Sequence, residues 1–274
     1  MAGKLYVVGT PIGNLGDMSP RAVETLESVD FIAAEDTRVT VKLLNYLGIK
    51  KPMVSYHEHN KASRHESIAD RIALGETCAL VTDAGMPAIS DPGEDLVRYC
   101  RERELPVESV PGPSALITAL SISGMPSKRF SFEGFLSVDK KEREQHLDEL
   151  RNDTHTLIFY EAPHKLTGTL RDMLKFLGDR KIALVKELTK LHENCELTTL
   201  SGAVEKYSAD QPRGEFVIIV SGVEKTDTQK EYTLEDAVEM AKGFISDGMS
   251  PTAAAKSAAG LTGVRRNEIY KNLI

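Results

Sequence analysis

Acidic and imidazole side chains follow two apolar segments in the first quarter of the chain. Segment 31–34 (Phe-Ile-Ala-Ala) runs into Glu35 and Asp36, and segment 53–56 (Met-Val-Ser-Tyr) runs into His57. Carboxylates and imidazoles are suited to exchanging protons with a reacting group within hydrogen-bond reach. We therefore predict that side chains at these strand ends act as a general acid or base, with Glu35 as the favoured base. Glu161 follows a later apolar segment and joins the set, so the candidates for the general acid or base are Glu35, Asp36, His57, His59 and Glu161.

The His57-x-His59 pair also raises the question of a metal site. In an extended segment the two imidazoles project from the same side, as a pair of metal ligands would. A third ligand at a suitable spacing is not evident in the sequence. We therefore expect no bound metal.

A glycine-rich loop follows the first apolar segment. Residues 5–8 (Leu-Tyr-Val-Val) run into 9–17, which hold three glycines and Pro11. The spacing G-x-x-x-G-x-x-G is neither the dinucleotide fingerprint nor a phosphate loop, and proline removes a backbone donor that a phosphate cradle would use. The loop indicates a ligand without a phosphate; a plain turn between strand and helix remains the alternative.

The surrounding pattern indicates how these residues are positioned. A strand, a polar or Gly/Pro-rich loop and a helix recur five times by residue 115, which is typical of an α/β protein with a parallel sheet. Further loops of this kind lie at 83–93 and 111–115. Ligands of open parallel sheets bind beyond the carboxyl ends of the strands, so we expect these loops to form one site.

A change of pattern after the fifth unit predicts three segments. They are an α/β domain at 1–118 with a parallel sheet, a second α/β domain at 119–224 and a helical, helix-turn-helix-like tail at 230–274. Residues 250–274 hold four basic side chains, among them Arg265 and Arg266, against Glu268 alone. This local excess predicts either contact with RNA or a solvated helix end.

Composition narrows the class of protein. The 274 residues are 41% hydrophobic and 27% charged, without an apolar run long enough to span a membrane or an N-terminal signal segment. Three widely spaced cysteines indicate reduced thiols, with Cys78 and Cys100 in the core. The net charge of −7 disfavours DNA binding. We expect a cytoplasmic protein without a membrane partner.

Several motifs in this order resemble one family, the bacterial 2′-O-ribose cytidine methyltransferases of small-subunit (16S) ribosomal RNA, within the tetrapyrrole-methylase-like superfamily. The resemblance covers residues 4–222 and weakens in the tail. The motifs that carry it are G-T-P-I-G-N-L-G-D (9–17), A-E-D-T-R (34–38), H-E-H-N (57–60), D-A-G-M-P (83–87), S-D-P-G (90–93), P-G-P-S-A (111–115), I-F-Y-E-A-P (158–163) and E-L-T-K (187–190).

The resemblance implies an enzyme that binds S-adenosylmethionine between two α/β domains, as in class III methyltransferases, and works as a homodimer. Its substrate would be a ribose 2′-hydroxyl of a cytidine in the decoding region, in 16S rRNA or the assembled small subunit. Tetrapyrrole relatives carry G-x-G-P-G-D at the first loop, and this chain does not. A tetrapyrrole C-methyltransferase and a non-catalytic RNA-binding protein are the alternatives.

The resemblance also implies site residues. The cofactor contacts would be Pro11, Asp83, Met86, Ser114, Ala115, Tyr160, Leu188, Gly214 and Glu215. The RNA contacts would be Arg38, Lys190, Arg265 and Arg266. A turn or helix cap is the alternative role for Asp83, and a surface ion pair is the alternative for Arg38 and Lys190.

Overall fold

The chain is described here from a computed structural model. The structure describes residues 2–58, 60–209, 212–223 and 232–273, so His59 lies outside the described residues. The chain divides into two compact units, Met1–Val223 and Glu224–Ile274.

A five-stranded parallel sheet forms the first half of the larger unit, which confirms the predicted α/β class. The strand order is β3-β2-β4-β1-β5, and every neighbouring pair is parallel. The strands are β1 Leu5–Val8, β2 Phe31–Ala34, β3 Met53–Ser55, β4 Cys78–Val81 and β5 Val107–Val110. Their carboxyl ends place the glycine-rich and acidic loops on one edge of the sheet.

Helices cover both faces of this sheet. They are α1 Pro20–Ser28, α2 Thr37–Leu47, α3 Lys61–Ala73 and α4 Glu94–Glu102. Leu5 and Phe31 pack in a core with residues of α3 and α4, whereas Val8 and Ile32 pack in another with residues of α1 and α2. Burial on both faces explains why β1, β2 and β4 are apolar throughout rather than alternating, whereas the edge strand β5 carries the exposed Glu108 and Ser109. The predicted core thiols of Cys78 and Cys100 are buried.

Local signals set the bounds of these helices. Ser19 accepts a hydrogen bond from the amide of Ala22 (3.1 Å), and Pro20 occupies the first turn of α1. Gly48 ends α2 in the left-handed region (φ 74°). Asp36 caps α2 by accepting from the amide of Arg38 (2.8 Å).

A mixed five-stranded sheet forms the second half of the larger unit. Its order is β6-β7-β10-β8-β9, with only the β6–β7 pair parallel. The strands are β6 Phe130–Phe135, β7 Thr156–Glu161, β8 Lys181–Lys186, β9 Asn194–Thr199 and β10 Phe216–Val220. The helices are α5 Ala115–Ser123, α6 Lys140–Glu149, α7 Leu166–Leu177 and α8 Leu200–Ala209.

Helix α5 joins the two sheets. Its Leu116, Ala119 and Leu120 pack against residues of β7, β8 and β10, so the helix lies on the second sheet. The boundary predicted between residues 118 and 119 falls inside this helix. The chain therefore passes to the second sheet immediately after the loop 111–114.

The smaller unit is helical. It contains α9 Leu234–Ser246, α10 Pro251–Thr262 and α11 Arg266–Lys271 around a core of Ala237, Ala241, Ala254, Ala258 and Ile269. Thr233 and Asp236 cap α9 with reciprocal hydrogen bonds. In the parts of the chain that the structure describes, no helix has both the length and the apolar character needed to cross a membrane.

Candidate functional site

A cavity of about 550 Å³ lies between the carboxyl ends of the first sheet and the β7, β8 and β10 strands of the second. Its size is in the range of small-molecule sites. The first half of the chain contributes Ile12, Ala84, Gly85, Met86, Ile89, Ser90, Asp91, Ser114, Ala115 and Leu116. The second half contributes Phe135, Tyr160, Glu161, Ala162, Pro163, His164, Val185, Leu188, Glu215, Phe216 and Val217.

Close backbone contact between loops shapes one side of the cavity. A Cβ atom on Gly112 would lie 2.8 Å from the Cα of Gly9, well inside normal contact distance. Thr10 and Gly85 exchange backbone hydrogen bonds of 2.9 and 3.1 Å. The loops after β1, β4 and β5 are thereby fastened together, and only glycine permits the approach of the first to the third.

The loop after β8 covers the cavity from the second sheet. Leu188 lies on the cavity wall between Glu187 and Thr189, whose φ angles of 51° and 62° are left-handed. Such angles are unfavourable for residues with a Cβ and concentrate at functional sites. A Cβ on Gly13 would lie 2.7 Å from the Cγ of Lys190, so this loop also touches the first loop.

Tyr160 ties the second sheet to the start of α5. Its hydroxyl accepts a hydrogen bond from the amide of Leu116 (2.9 Å), whereas Ser114 at the N-cap position makes no side-chain cap. Burial raises the pKa of Tyr160 to about 12, so the hydroxyl remains protonated at neutral pH. Tyr160, which belongs to strand β7, therefore caps the N-terminus of α5 in place of Ser114.

Replacing Tyr160 with phenylalanine is expected to lower the free energy of unfolding by about 1 kcal/mol, since the Leu116 amide loses its acceptor. The start of α5 would also loosen at the cavity wall and weaken ligand binding several-fold. Urea unfolding and calorimetric titration with S-adenosylhomocysteine measure the two effects. Tyr46→Phe, on an exposed tyrosine of α2, is the matched control; equal effects in both variants would contradict the capping role.

The ionisable side chains on the cavity wall are mainly acidic. Among the wall residues that the structure describes, there are three carboxylates (Asp91, Glu161 and Glu215) and His164, but no lysine or arginine. Glu161 accepts from the amide of Ala162 (2.8 Å) and from the hydroxyl of Thr169 (2.5 Å), so both of its oxygens are engaged. The site therefore suits a ligand that carries positive charge and no phosphate.

A second cavity of about 470 Å³ adjoins the first. The two share Ile89, Ser90 and Asp91 as a common wall. The remaining lining residues of the second cavity are Glu35, Glu58, Pro92, Gly93, Glu94 and Asp95. Two reactants in these cavities would meet at the segment 89–91.

Acidic residues connect the segments that follow strands β2 and β4 by hydrogen bonds. The amide of Asp83 donates to Glu35 (3.2 Å), and the amide of Asp36 donates to Asp83 (3.2 Å). Burial raises the pKa of Glu35 and that of Asp83, with the neighbouring carboxylates adding to the effect. Asp36 differs, because hydrogen bonds from Arg38 lower its pKa to about 2.

Six of the nine residues that the family resemblance implied for the cofactor lie on the wall of the first cavity. They are Met86, Ser114, Ala115, Tyr160, Leu188 and Glu215. Pro11, Asp83 and Gly214 lie next in sequence to wall residues and are not wall residues themselves. A Cβ on Gly214 would lie 2.6 Å from Glu187, so this glycine leaves room for a carboxylate.

The structure separates the acid–base candidates. Glu35 lies on the second cavity and Glu161 on the first. His57 lines neither; its amide donates to Asn60 (2.9 Å). Among the described residues, no group of three or more His, Cys, Asp or Glu side chains is placed to hold a metal ion; His59 is not among them.

The suggested RNA contacts lie in different environments. Arg38 is 88% exposed and pairs with Asp36 (2.6 Å). Lys190 pairs with Glu187 (3.1 Å) and Glu215 (2.9 Å) at the cavity edge. Arg265 and Arg266 are exposed in the smaller unit.

Sequence reasoning assigned no role to several wall residues. Asp91 is the main one: its S-D-P-G motif was noted, but nothing in the spacing distinguished its carboxylate from the other acids. Val185, Phe216 and Val217 are strand residues whose apolar character reads simply as core. Their position on the cavity follows from the strand order of the second sheet, which no local pattern reveals.

Comparison with family models matches residues 4–204 to the family described as Tetrapyrrole (Corrin/Porphyrin) Methylases. Among curated proteins, the chain is 43% identical over 270 residues to a Synechocystis protein and 44% identical over 271 residues to a Bacillus subtilis protein. Each alignment covers 98% of this chain, and 96% and 93% of the respective relative. Both relatives are named ribosomal RNA small subunit methyltransferase I.

Solved structures share the fold at low sequence identity. A diphthine synthase superposes with a TM-score of 0.61 at 12% identity, covering 80% of this chain and 89% of that one. Uroporphyrin-III C-methyltransferase from Thermus thermophilus, complexed with S-adenosylhomocysteine, superposes with a TM-score of 0.57 at 18% identity. That alignment covers 80% of this chain and 97% of the other.

Proposed function

We propose that this chain, which belongs to the tetrapyrrole (corrin/porphyrin) methylase family, transfers the methyl group of S-adenosylmethionine to a ribose 2′-oxygen of a cytidine in small-subunit ribosomal RNA. The observation that carries the proposal is an acid-lined, otherwise apolar cavity at the junction of two sheets, in a chain whose relatives are named for rRNA methylation.

The cavity fits the cofactor chemically. S-adenosylmethionine supplies a sulfonium-bound methyl group and carries an amino acid, an adenosine and no phosphate. Ile12, Met86, Leu188 and Val217 offer apolar surface, and the carboxylates match positive charge. The residues that we propose to contact the cofactor are Pro11, Asp83, Met86, Ser114, Ala115, Tyr160, Leu188, Gly214 and Glu215. The Thermus thermophilus relative in fold, complexed with S-adenosylhomocysteine, agrees with this choice.

The second cavity provides a place for the target nucleotide. It opens beside the first and shares the segment 89–91 with it. Bringing two reactants into line supplies about 7–11 kcal/mol of the barrier through effective molarity. A proton acceptor for the hydroxyl adds a factor of about 10² to 10⁴. The candidates for this proton acceptor follow neighbouring strands at the carboxyl edge of the first sheet. Glu35 and Asp36 follow β2, and His57 follows β3.

The RNA itself would be held by cations outside the acidic cavities. The Arg38 side chain is exposed, and its pairing with Asp36 fixes its direction at the start of α2. Lys190, paired at the edge of the cofactor cavity, would reach a phosphate by exchanging one of its carboxylate partners. We propose Arg265 and Arg266 as further phosphate contacts.

Replacing Arg265 and Arg266 with alanine is expected to weaken binding to small-subunit rRNA and to flatten its salt dependence. Each lost phosphate contact lowers the slope of log K against log salt by about 0.7 to 0.9, so the pair should lower it by about 1.5. Filter binding across a salt series measures this slope. Arg21→Ala/Lys128→Ala removes two other exposed cations as the control; an equal change there would contradict a specific role for the tail.

We also propose a homodimer that works in the cytoplasm, where ribosomal subunits are assembled. Its support is an apolar face on the second sheet: Ile117 and Ile122 of α5 and Leu197 of the edge strand β9 are each more than 40% exposed. The Cys195 thiol lies 3.7 Å from the carbonyl oxygen of Ile122, so α5 and β9 adjoin. Exposed apolar residues beside an edge strand favour pairing with another chain.

Nucleoside analysis of ribosomal RNA tests the function in cells. Small-subunit RNA from cells that lack the protein should contain less 2′-O-methylcytidine than RNA from cells that carry it, and the chain supplied on a plasmid should restore the difference. Unchanged nucleosides together with a changed pool of methylated tetrapyrroles would instead favour a tetrapyrrole C-methyltransferase. Unchanged levels of both would favour a non-catalytic role.

A further inference from the structure

Strand β6 brings an exposed aromatic ring to the wall of the first cavity. Phe135, the last residue of this strand, lines the cavity and is 58% exposed. Two other aromatic residues of the wall, Tyr160 and Phe216, are partly or fully buried. Of the phenylalanine and tyrosine rings described on the two cavities, Phe135 alone is exposed, so it is the ring that a ligand from solvent can cover.

A β-bulge turns the Phe135 ring towards the cavity. In the β6–β7 ladder, four residues of β6 that end at Phe135 lie opposite three residues of β7 that end at Tyr160. Strict alternation would direct Phe132 and Phe135 to opposite faces of the sheet, but the extra residue brings both rings against Tyr160, with centroid distances of 4.9 and 5.6 Å. Gly134 adopts the left-handed φ of 64° within this bulge. Bulges of this kind re-aim side chains beside active sites.

The segment that follows the ring is fixed by the start of α6. Arg143 donates hydrogen bonds to the carbonyl oxygens of Ser137 (3.0 Å) and Val138 (3.2 Å). Asp139 caps the first turn of α6 with its side chain. Because the backbone on both sides of Phe135 is held in this way, little conformational freedom is lost when a ligand packs on the ring.

The Phe135 ring also lies near the wall that the two cavities share, the segment 89–91. The ring and this segment both line the first cavity. Burial raises the pKa of Tyr160 and the charge of Asp91 adds to the rise, so the Tyr160 hydroxyl lies within electrostatic reach of the segment. Since the rings of Tyr160 and Phe135 are in contact, a nucleotide whose ribose lies at the shared wall can extend its base towards Phe135.

The second cavity suits a ribose better than a base. The residues described on it include no aromatic ring, and five of them are carboxylates: Glu35, Glu58, Asp91, Glu94 and Asp95. Carboxylates accept hydrogen bonds from sugar hydroxyls, whereas unpaired RNA bases are recognised by stacking on aromatic side chains. The base of a nucleotide in this site therefore finds its stacking surface at the Phe135 ring rather than in the second cavity.

The charges near the ring favour a nucleic acid over another copy of the chain. Lys140 and Lys141 are exposed in the first turn of α6, whereas the wall residues described for the two cavities include no lysine or arginine. Phosphates on either side of a bound nucleotide could contact these lysines outside the acidic cavities. Strands β6 and β9 form opposite edges of the second sheet, so the face that we assign to the homodimer lies at the other edge.

From these observations we propose that Phe135 is the stacking surface for the unpaired base of the target nucleotide. The inference rests on the proposed function. A base within a double helix has both faces covered by its neighbours, so an aromatic ring in this position selects a nucleotide that is splayed out of the stack. Stacking accepts every base, so Phe135 holds the nucleotide and directs its ribose to the shared wall without reading which base it is.

Methyl transfer by the full chain to unmodified small subunits, measured over a range of subunit concentrations, tests the proposal. Phe135→Ala should raise the KM for subunits by about 5- to 150-fold, the loss expected for one stack between a base and an aromatic ring. The kcat should stay within a few-fold. Phe135→Tyr should keep a KM close to that of the wild type, because its ring also stacks. Phe130→Ala removes another exposed ring at the start of β6 and is the matched control.

A tryptophan in place of Phe135 reports on stacking directly. The sequence contains no tryptophan, so Phe135→Trp introduces a single fluorophore of this kind. Its fluorescence should be quenched by an unstructured RNA oligonucleotide with cytidine at its centre, and less by the same oligonucleotide with an abasic ribose there. Phe130→Trp is the control and should distinguish neither oligonucleotide.

The cofactor is the competing ligand for the ring, because it also carries a base. Quenching of Phe135→Trp by S-adenosylhomocysteine alone, or weaker calorimetric binding of that molecule by Phe135→Ala, would overturn the proposal in favour of contact with adenine. An unchanged KM in Phe135→Ala, an equal rise in Phe130→Ala, or quenching no greater with cytidine than with the abasic ribose would overturn it in favour of a ring that binds no RNA base. Absence of methyl transfer by the wild-type protein would contradict the proposed function itself.

Discussion

Replacing Ala115 with phenylalanine is expected to prevent binding of S-adenosylmethionine, with a loss of affinity of about 100-fold or more. Ala115 is the first residue of α5 and lies on the wall of the larger cavity. A phenylalanine side chain there would occupy space that the ligand needs. A 100-fold loss corresponds to about 2.7 kcal/mol of binding free energy. Calorimetric titration with S-adenosylmethionine measures it.

The fold should survive this change, because the added ring enters an existing cavity rather than a packed core. Urea unfolding is therefore expected to show a free energy close to that of the wild type. Ala115→Ser, which adds one oxygen atom at the same position, is the matched control and should retain binding within a few-fold. Wild-type affinity in Ala115→Phe would place the cofactor elsewhere.

Replacing Gly112 with alanine is expected to lower both the free energy of unfolding and the affinity for the cofactor. Its Cβ would lie 2.8 Å from the Cα and 2.9 Å from the carbonyl carbon and oxygen of Gly9, and backbone atoms cannot rotate away as a side chain can. Overpacking of this kind costs about 1–3 kcal/mol. The two loops would separate, and Ser114 and Ala115 on the cavity wall would move with them. Urea unfolding and cofactor titration measure the two effects.

Gly168 provides the control for this variant. It lies inside α7, where an added Cβ would meet no atom within 4 Å, so Gly168→Ala should be neutral or stabilising by up to about 1 kcal/mol. Equal destabilisation by the two substitutions would mean that the contact between Gly9 and Gly112 is unimportant. A stable Gly112→Ala protein with unchanged affinity would mean that the loops tolerate separation.

Much of the first sheet could be predicted because its signals are local. Continuous apolar segments such as Phe31–Ala34 end at polar or Gly/Pro-rich loops, and Ser19-Pro20 and Gly48 mark helix ends through their own backbone preferences. The loops that follow parallel strands lie at the same edge of the sheet, so these loops could be predicted to lie close together. This prediction requires only that the strands are parallel, and their continuous apolar sequences, typical of strands buried on both faces, already indicate that.

The second sheet was harder to predict, since its signals depend on tertiary contacts. Asn194–Thr199 is a polar strand at the sheet edge that pairs only with β8, and its sequence N-C-E-L-T-T gave no prediction of a strand. Edge strands need not alternate with a buried face, so their pattern is weak. Helices α7 and α8 were likewise not predicted.

The site shows the same division between local and tertiary information. Ser114 and Ala115, in the P-G-P-S-A motif, were implied by the family resemblance and lie on the cavity. Asp91 differs from Glu35 and Asp83 in lining both cavities and in the hydrogen bonds that each carboxylate receives, and both differences follow from the packing of the strand ends. Residue type and spacing identify the acids; their partners decide which of them is available to a substrate.

The most direct measurement is transfer of labelled methyl groups from S-adenosylmethionine by the purified chain to small ribosomal subunits from cells that lack it, followed by nucleoside analysis. Recovery of the label as 2′-O-methylcytidine is the predicted result. Label on a base or on another ribose, or no label in subunits that a control methyltransferase can modify, would contradict the account.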